Sequence, residues 1–360
     1  MYIGVRGSKV GINMNSRERV LAVFNHQIPD KVPCWCGPSE EFWAKAKNEL
    51  GLGDEALYRR FRDDFRRVFA EYAGPEFPLQ HPRAKSRTPF GIEREGYGYG
   101  QPLTHPLATA IVADVEAYPW PDPAWMDVSR IKAKAESYNG EYAIMGGDWS
   151  PFWHDLIDLV GMEELYIKMY TEPDVIRSIL NYMVDYYYQV CKNIFEAASD
   201  AIDIYFIGND FGSQTGPLMS PEMFDNFMIP HLKRLCDLGH SYGLKTQMHC
   251  CGGIYELIPS MIEAGVDSLH AVQTTCRGMD LVKLKEEFGG KIIFNGCIDS
   301  HHTLMEKDTE GVREDTRRVL NIMMPGGGFI AGASHDTILE QTPVENIFAM
   351  FDEIDKYGIY

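Results

Sequence analysis

Beyond residue 140 the chain repeats one unit, a short apolar run of strand length followed by an amphipathic helical stretch. The runs are YAIMGG (142–147), AIDIYFIG (201–208), KTQMHC (245–250), SLHAVQ (268–273), KIIFNG (291–296) and GFIAGA (328–333). Helical patterns fill the intervals at 161–173, from the TEPD at Thr171 to about Ala198, and at 221–242, 255–265, 280–289, 309–323 and 343–356. Val175, Ile179, Met183 and Val190 show the helical spacing. Apolar strands buried on both faces, each returned by a helix, are the signature of βα units in a parallel sheet. No GxGxxG follows a first strand and no phosphate-loop pattern appears. The expected fold is therefore α/β, a closed (β/α)8 barrel of the TIM type, rather than a doubly wound sheet.

The first helix signal is the capping pattern Asn15-Ser16-Arg17-Glu18 ahead of Val20, Leu21 and Phe24. Pro29 and Pro33 end that helix, and IPDKVPCW begins a β-like segment. Residues 54–125 are rich in Arg, Pro, Gly and aromatics and predict irregular hairpins, an insertion covering one end of the barrel. Residues 1–13 read as a loose N-terminal extension, and 14–360 as one barrel domain.

Composition excludes some functions. The 360 residues carry 34 basic and 52 acidic side chains, a formal net charge of -18, and no basic stripe, which argues against nucleic acid. No apolar run approaches the ~20 residues a membrane span needs. The N-terminus lacks a signal-peptide core, so a cytoplasmic protein is expected. Its eight cysteines then read as thiols or metal ligands rather than bridges.

A barrel places functional side chains at the C-terminal ends of its strands. Polar and soft residues recur there. Asp148, Trp149 and Trp153 follow the first regular run, and Asn209 and Asp210 the second. His249 and Cys251 end the third, and Gln273 the fourth; Cys297 and Asp299 follow the fifth, and His335 the last. In His249-x-Cys251 the two side chains point the same way at a strand end, where nitrogen and sulfur together suit zinc. The plainer reading is a buried histidine beside small apolar cysteines. Cys297 and His335 are candidates for a third ligand. His335, Asp210 and Asp299 are candidate catalytic or ligand-orienting groups. Asp148, Trp149, Trp153, Asn209 and Gln273 are candidate substrate contacts, with the tryptophans walling an apolar pocket.

The segments NSRERVLAVFNHQIPDKVP, GNDFGSQTGPLMSPEMFDNFMIPHLKRL, HCCGGIYELIPSMIEAGVDSL, GMDLVKLKEEFGGKIIFNGCID and GGGFIAGASHDTILEQTPVENI resemble the uroporphyrinogen decarboxylase superfamily, in order, from Met14 onward. The resemblance implies a (β/α)8 barrel. One branch removes carboxyl groups without metal, using an early arginine motif; the stretch VPCWCGPSEEFW has none. The other branch comprises cobamide-dependent methyltransferases, which bind zinc through H-x-C-G and a distant cysteine. His249-Cys250-Cys251-Gly252 matches the first element, while GASHDTILEQTP carries His335 near the place of the cysteine. The resemblance thus implies a zinc-dependent methyltransferase. It would move a methyl group between a small donor or acceptor (aromatic ether, methylamine or thiol) and a corrinoid, or cobalamin, carried by a partner protein. It leaves room for a homodimer. A metal-free decarboxylase and a non-catalytic ligand-binding barrel are the alternatives.

Overall fold

The computed structural model describes residues 13–96 and 100–360. Of the expected N-terminal extension, residues 1–12 lie outside that range. Eight parallel strands form the central sheet: β1 Cys34–Trp35, β2 Phe65–Arg67, β3 Ala143–Gly146, β4 Ile204–Gly208, β5 Lys245–His249, β6 Ser268–Val272, β7 Ile293–Ile298 and β8 Phe329–Ala333. Their order around the sheet is β1-β8-β7-β6-β5-β4-β3-β2. The first strand therefore pairs with the last, Cys34 opposite Ala331. Between β1 and β2 the ring closes without a ladder. Asp64 spans this seam, its amide donating to the Cys34 carbonyl at 3.0 Å and its carboxylate accepting the Cys34 amide at 2.7 Å. Arg19 pairs with the same carboxylate.

The first helix, Ser16–Phe24, begins where the sequence predicts. Asn15 accepts the Glu18 amide and Glu18 accepts the Asn15 amide, a complete capping box. The helix plugs one end of the barrel. Val20, Val23 and Phe24 pack with Trp35, Phe65, Ala143, Met145, Ile204, Phe206, Ile293 and Ile330 in an interior cluster separate from the larger core between strands and helices. One polar layer crosses the interior: Gln247 Oε1 accepts from Ser268 Oγ at 3.2 Å and Asn295 Nδ2 at 3.1 Å.

All six predicted runs form strands. β2 falls within the stretch read as irregular hairpins and was not expected as a barrel strand. Three other details differ. The stretch 221–242 forms two helices, Pro221–Phe227 and Ile229–Ser241, because Pro230 cannot continue the hydrogen-bond ladder of the first. Thr171 does not cap the long helix Pro173–Ala198; its hydroxyl donates back to Ile167 at the end of the preceding helix. Phe152–Val160 is helical where only an aromatic cluster was read. The insertion is present as hairpin pairings of 86–87, 93–95 and 101–102 and of 71–72 with 126–127. Arg94 clamps it to the barrel through Asp155 and Asp158, all three nearly buried.

Candidate metal centre at the barrel mouth

His249 is the last residue of β5, and its backbone carbonyl accepts the Asn209 amide at the end of β4. Three residues on, Gly252 adopts φ +96, a conformation that favours glycine, and an added Cβ would strike the Gly212 carbon at 2.4 Å. That close crossing of two loops turns Cys251 back over the mouth. His249 Nε2 then lies 3.2 Å from Cys251 Sγ and 3.3 Å from Asp210 Oδ1. One donor atom from each of the three lies within 4.8 Å of the others. Ligands held tetrahedrally at zinc distances sit roughly 3.3–3.7 Å apart. A nitrogen, a thiolate sulfur and a carboxylate oxygen at these separations fit a zinc ion.

Electrostatics prepare the donors. Burial pushes the Cys251 thiol up, but the adjacent His249 charge and hydrogen bonds from His249 and His335 outweigh it and hold it below its ordinary value. Burial pushes His249 down, and Cys251 and Asp210 override that and raise it well above the usual imidazole range. Asp210, despite burial, is held far below the carboxylate range by His154 and His249. It also accepts the Cys251 amide at 2.7 Å, and its second oxygen meets His154 Nε2 at 3.3 Å. Together these set a thiolate and a carboxylate against a protonated His249, and a bound dication would take the place of its Nε2 proton.

A second polar group adjoins the first. His249 Nδ1 lies 3.3 Å from His270 Nδ1, and His270 Nε2 lies 3.8 Å from Asp336 Oδ1. Arg67, the last residue of β2, pairs with Asp336 at 2.9 Å and stacks over Trp35 and Phe206. Complete burial drives His270 well below the ordinary range, so it is neutral.

The structure brings together four of the predicted site residues: Asp210, His249, Cys251 and His335. His335 hydrogen-bonds the Cys251 sulfur and is raised by it, while its Nδ1 accepts the Thr337 amide at 3.0 Å. Trp149 packs its ring 5.4 Å from His249, in space that Gly208 provides: a Cβ there would meet the indole at 2.0 Å. Asp148 is half-buried beside it; burial and then Asp155 push its carboxyl up to about 6. Both line a cavity of about 700 Å³ whose other wall is the aromatic insertion, including Phe77 and Phe90. Gln273 accepts the Gly252 amide at 2.9 Å and lines a separate cavity of about 260 Å³ with Asp299 and His335.

Three expectations need correction. Cys297 is fully buried in the outer core and does not join the cluster. Ile293 and Asn295 point inward on β7, so alternation would turn Cys297 inward too; Gly296 at φ +105 and Cys297 at φ +76 break that alternation. Trp153 is fully buried against Tyr166 and Phe211 in the helix-side core and walls no pocket. Asn209 is fully buried, accepting the Trp153 amide and donating to the Ser150 carbonyl; it braces the loop after β3. Asp299 caps the turn behind it through the His301 and His302 amides. Sequence reasoning passed over His270 and Arg67. The signal for His270 was present: Ser268 and His270 are alternate polar residues in an otherwise apolar strand.

The family described as uroporphyrinogen decarboxylase (URO-D) is matched by residues 100–357. Among curated proteins, the methylcobamide:CoM methyltransferase MtbA of Methanosarcina acetivorans is 22% identical over 231 residues, 63% of this chain and 62% of that protein. MtbA of Methanosarcina mazei is 21% identical over 229 residues, with the same coverage. The chain thus spans about 62% of the length of these relatives. A solved structure of a methyltransferase from Methanosarcina mazei superposes on 96% of this chain and 99% of its own, with a TM-score of 0.67 at 19% identity, which establishes the shared barrel fold. No helix among the described residues is long and apolar enough to cross a membrane.

Proposed function

The chain belongs to the uroporphyrinogen decarboxylase family, and on that premise we propose that it is a zinc-dependent methyltransferase exchanging a methyl group with the corrinoid of a partner protein. The observation that carries this reading is the convergence of Asp210, His249 and Cys251 at the barrel mouth. Those three residues would hold the ion, with His335 beside the sulfur. A bound zinc ion would supply Lewis acidity, keeping a substrate thiol as thiolate or weakening a methyl–heteroatom bond.

The chain's own residues do the rest. Asp210 fixes the Cys251 loop by accepting its amide, and His154 holds the far carboxylate oxygen. Trp149 shields one face of His249 from water. Between Trp149 and the insertion, the aromatic walls of the 700 Å³ cavity suit an aromatic ether or a methylated amine, with Asp148 as the adjacent polar group. Asp148, pushed up to about 6, can hold or release a proton near neutrality. The mouth above these groups is where a corrinoid protein would dock.

The test is zinc content by elemental analysis, paired with methyl transfer to a reduced corrinoid protein from methoxybenzoate or methylamine probes. One zinc per chain and methyl transfer that both disappear in Cys251→Ala would establish the reading. Transfer that persists in zinc-free protein would defeat it. One observation favours a second reading. Arg67 has Asp336 as its one ion-pair partner among the described residues and lines a cavity of about 590 Å³, a place for a substrate carboxylate in a metal-free carboxy-lyase. Carbon dioxide release from a carboxylated substrate by zinc-free protein would select that reading.

A further inference from the structure

We propose that His270, Asp336 and Arg67 are positioning residues that fix the ring of His249 and tie it to the wall of the 590 Å³ cavity. This rests on the reading of His249 as a metal ligand. The four residues come from four strands or their ends: His249 closes β5, His270 lies in β6, Asp336 follows β8 and Arg67 ends β2.

Each imidazole nitrogen has one task. His249 turns Nε2 toward Cys251 and Asp210. Its Nδ1 then carries the proton and donates to His270 Nδ1, 3.3 Å away. His270 in turn bears its proton on Nε2. That atom is buried without a hydrogen-bond partner among the described residues and faces Asp336 Oδ1 at 3.8 Å. Arg67 donates to the same oxygen at 2.9 Å. Its guanidinium is held at 4.5 Å over Trp35 and 5.0 Å over Phe206, so the last member is itself fixed. A buried N–H without a partner costs stability. An aromatic hydrocarbon would pack against Trp35 and Phe206 without that cost. What it could not do is accept the His249 proton and so hold Nε2 toward the ion. Arg67 and Asp336 both line the cavity, so a ligand there touches the far end of the chain.

The experiment is zinc affinity by chelator competition, with the visible spectrum of the cobalt-loaded protein as a second readout. His270→Phe keeps the ring packing and removes the acceptor; zinc should bind about 10–100-fold more weakly and the cobalt bands should shift. His270→Asn restores an acceptor and should return affinity to within about threefold, with the native spectrum. Asp336→Ala, at the cavity wall, should weaken zinc several-fold, and it decides the matter if His270→Phe does not fold. Unchanged affinity and spectrum in a folded His270→Phe, or in Asp336→Ala, would overturn the proposal while the metal centre stands. Wild-type protein that binds no zinc would overturn the metal centre and the chain with it.

Discussion

The two ends of this barrel are made from the same strands and follow opposite rules. At the closed end, Phe65, Ala143, Ile204 and Ile293 meet Val20, Val23 and Phe24 of the plugging helix in an apolar cluster. At the mouth, the same alternation delivers His249, His270 and Arg67, and the neighbours are Asp210, Cys251 and Asp336. The Gln247–Ser268–Asn295 layer lies between. The closed end secures the fold; the mouth spends some of that stability on buried charge and on an unpartnered imidazole N–H.

If the ends divide the labour this way, substitutions at each should move different observables. The largest effect is expected for Cys251→Ser, which should reduce bound zinc from about one per chain to near zero by elemental analysis, with little change in unfolding of the zinc-free protein. Phe24→Ala should do the reverse. It should cost about 3–5 kcal/mol in denaturant unfolding and leave zinc stoichiometry intact in the folded fraction. Loss of zinc in folded Phe24→Ala would erase the distinction.

The next contrast is in pH. Asp63, buried beside the seam, is raised to about 7, by burial first. Between its ordinary value and about 7 the folded state binds more protons than the unfolded chain, so this group lowers stability as pH rises through that window. Asp63→Asn keeps an acceptor for the Phe65 amide. It should raise the melting temperature by a few degrees at pH 8 and change it little at pH 4. A gain equal at both pH values would show that charge is not the cause. The smallest effect belongs to the helix cap: Asn15→Ala should cost about 1 kcal/mol in denaturant unfolding, with zinc affinity unchanged.

The sequence disclosed the two ends unequally. Apolar runs announce themselves, so six strands were legible from them, IPDKVPCW marked β1 as a β-like segment, and Asn15–Glu18 named the plugging helix. β2 was hidden because it is three residues long, two of them arginine, in a stretch crowded with turn formers. At the mouth, His249, Cys251 and Asp210 were legible because strand ends collect function. Cys297 misled because two consecutive positive φ values reverse the facing that position in a strand would assign. Trp153 misled because an aromatic after a strand end reads alike whether it lines a cavity or starts a buried helix. Arg67 entered the site only through pairing across strands, which no local pattern records, whereas His270 left a local trace in its alternation with Ser268.

The seam between β1 and β2 has a consequence for biosynthesis. β1 takes its ladder partner from β8, the last strand made, while Asp64 bridges it to β2. As the chain leaves the ribosome, the edge of β1 therefore waits uncovered until Ala331 has emerged. Closure of the ring is a late event of high contact order, and it is the step at which a stalled or truncated chain would be most exposed to mispairing.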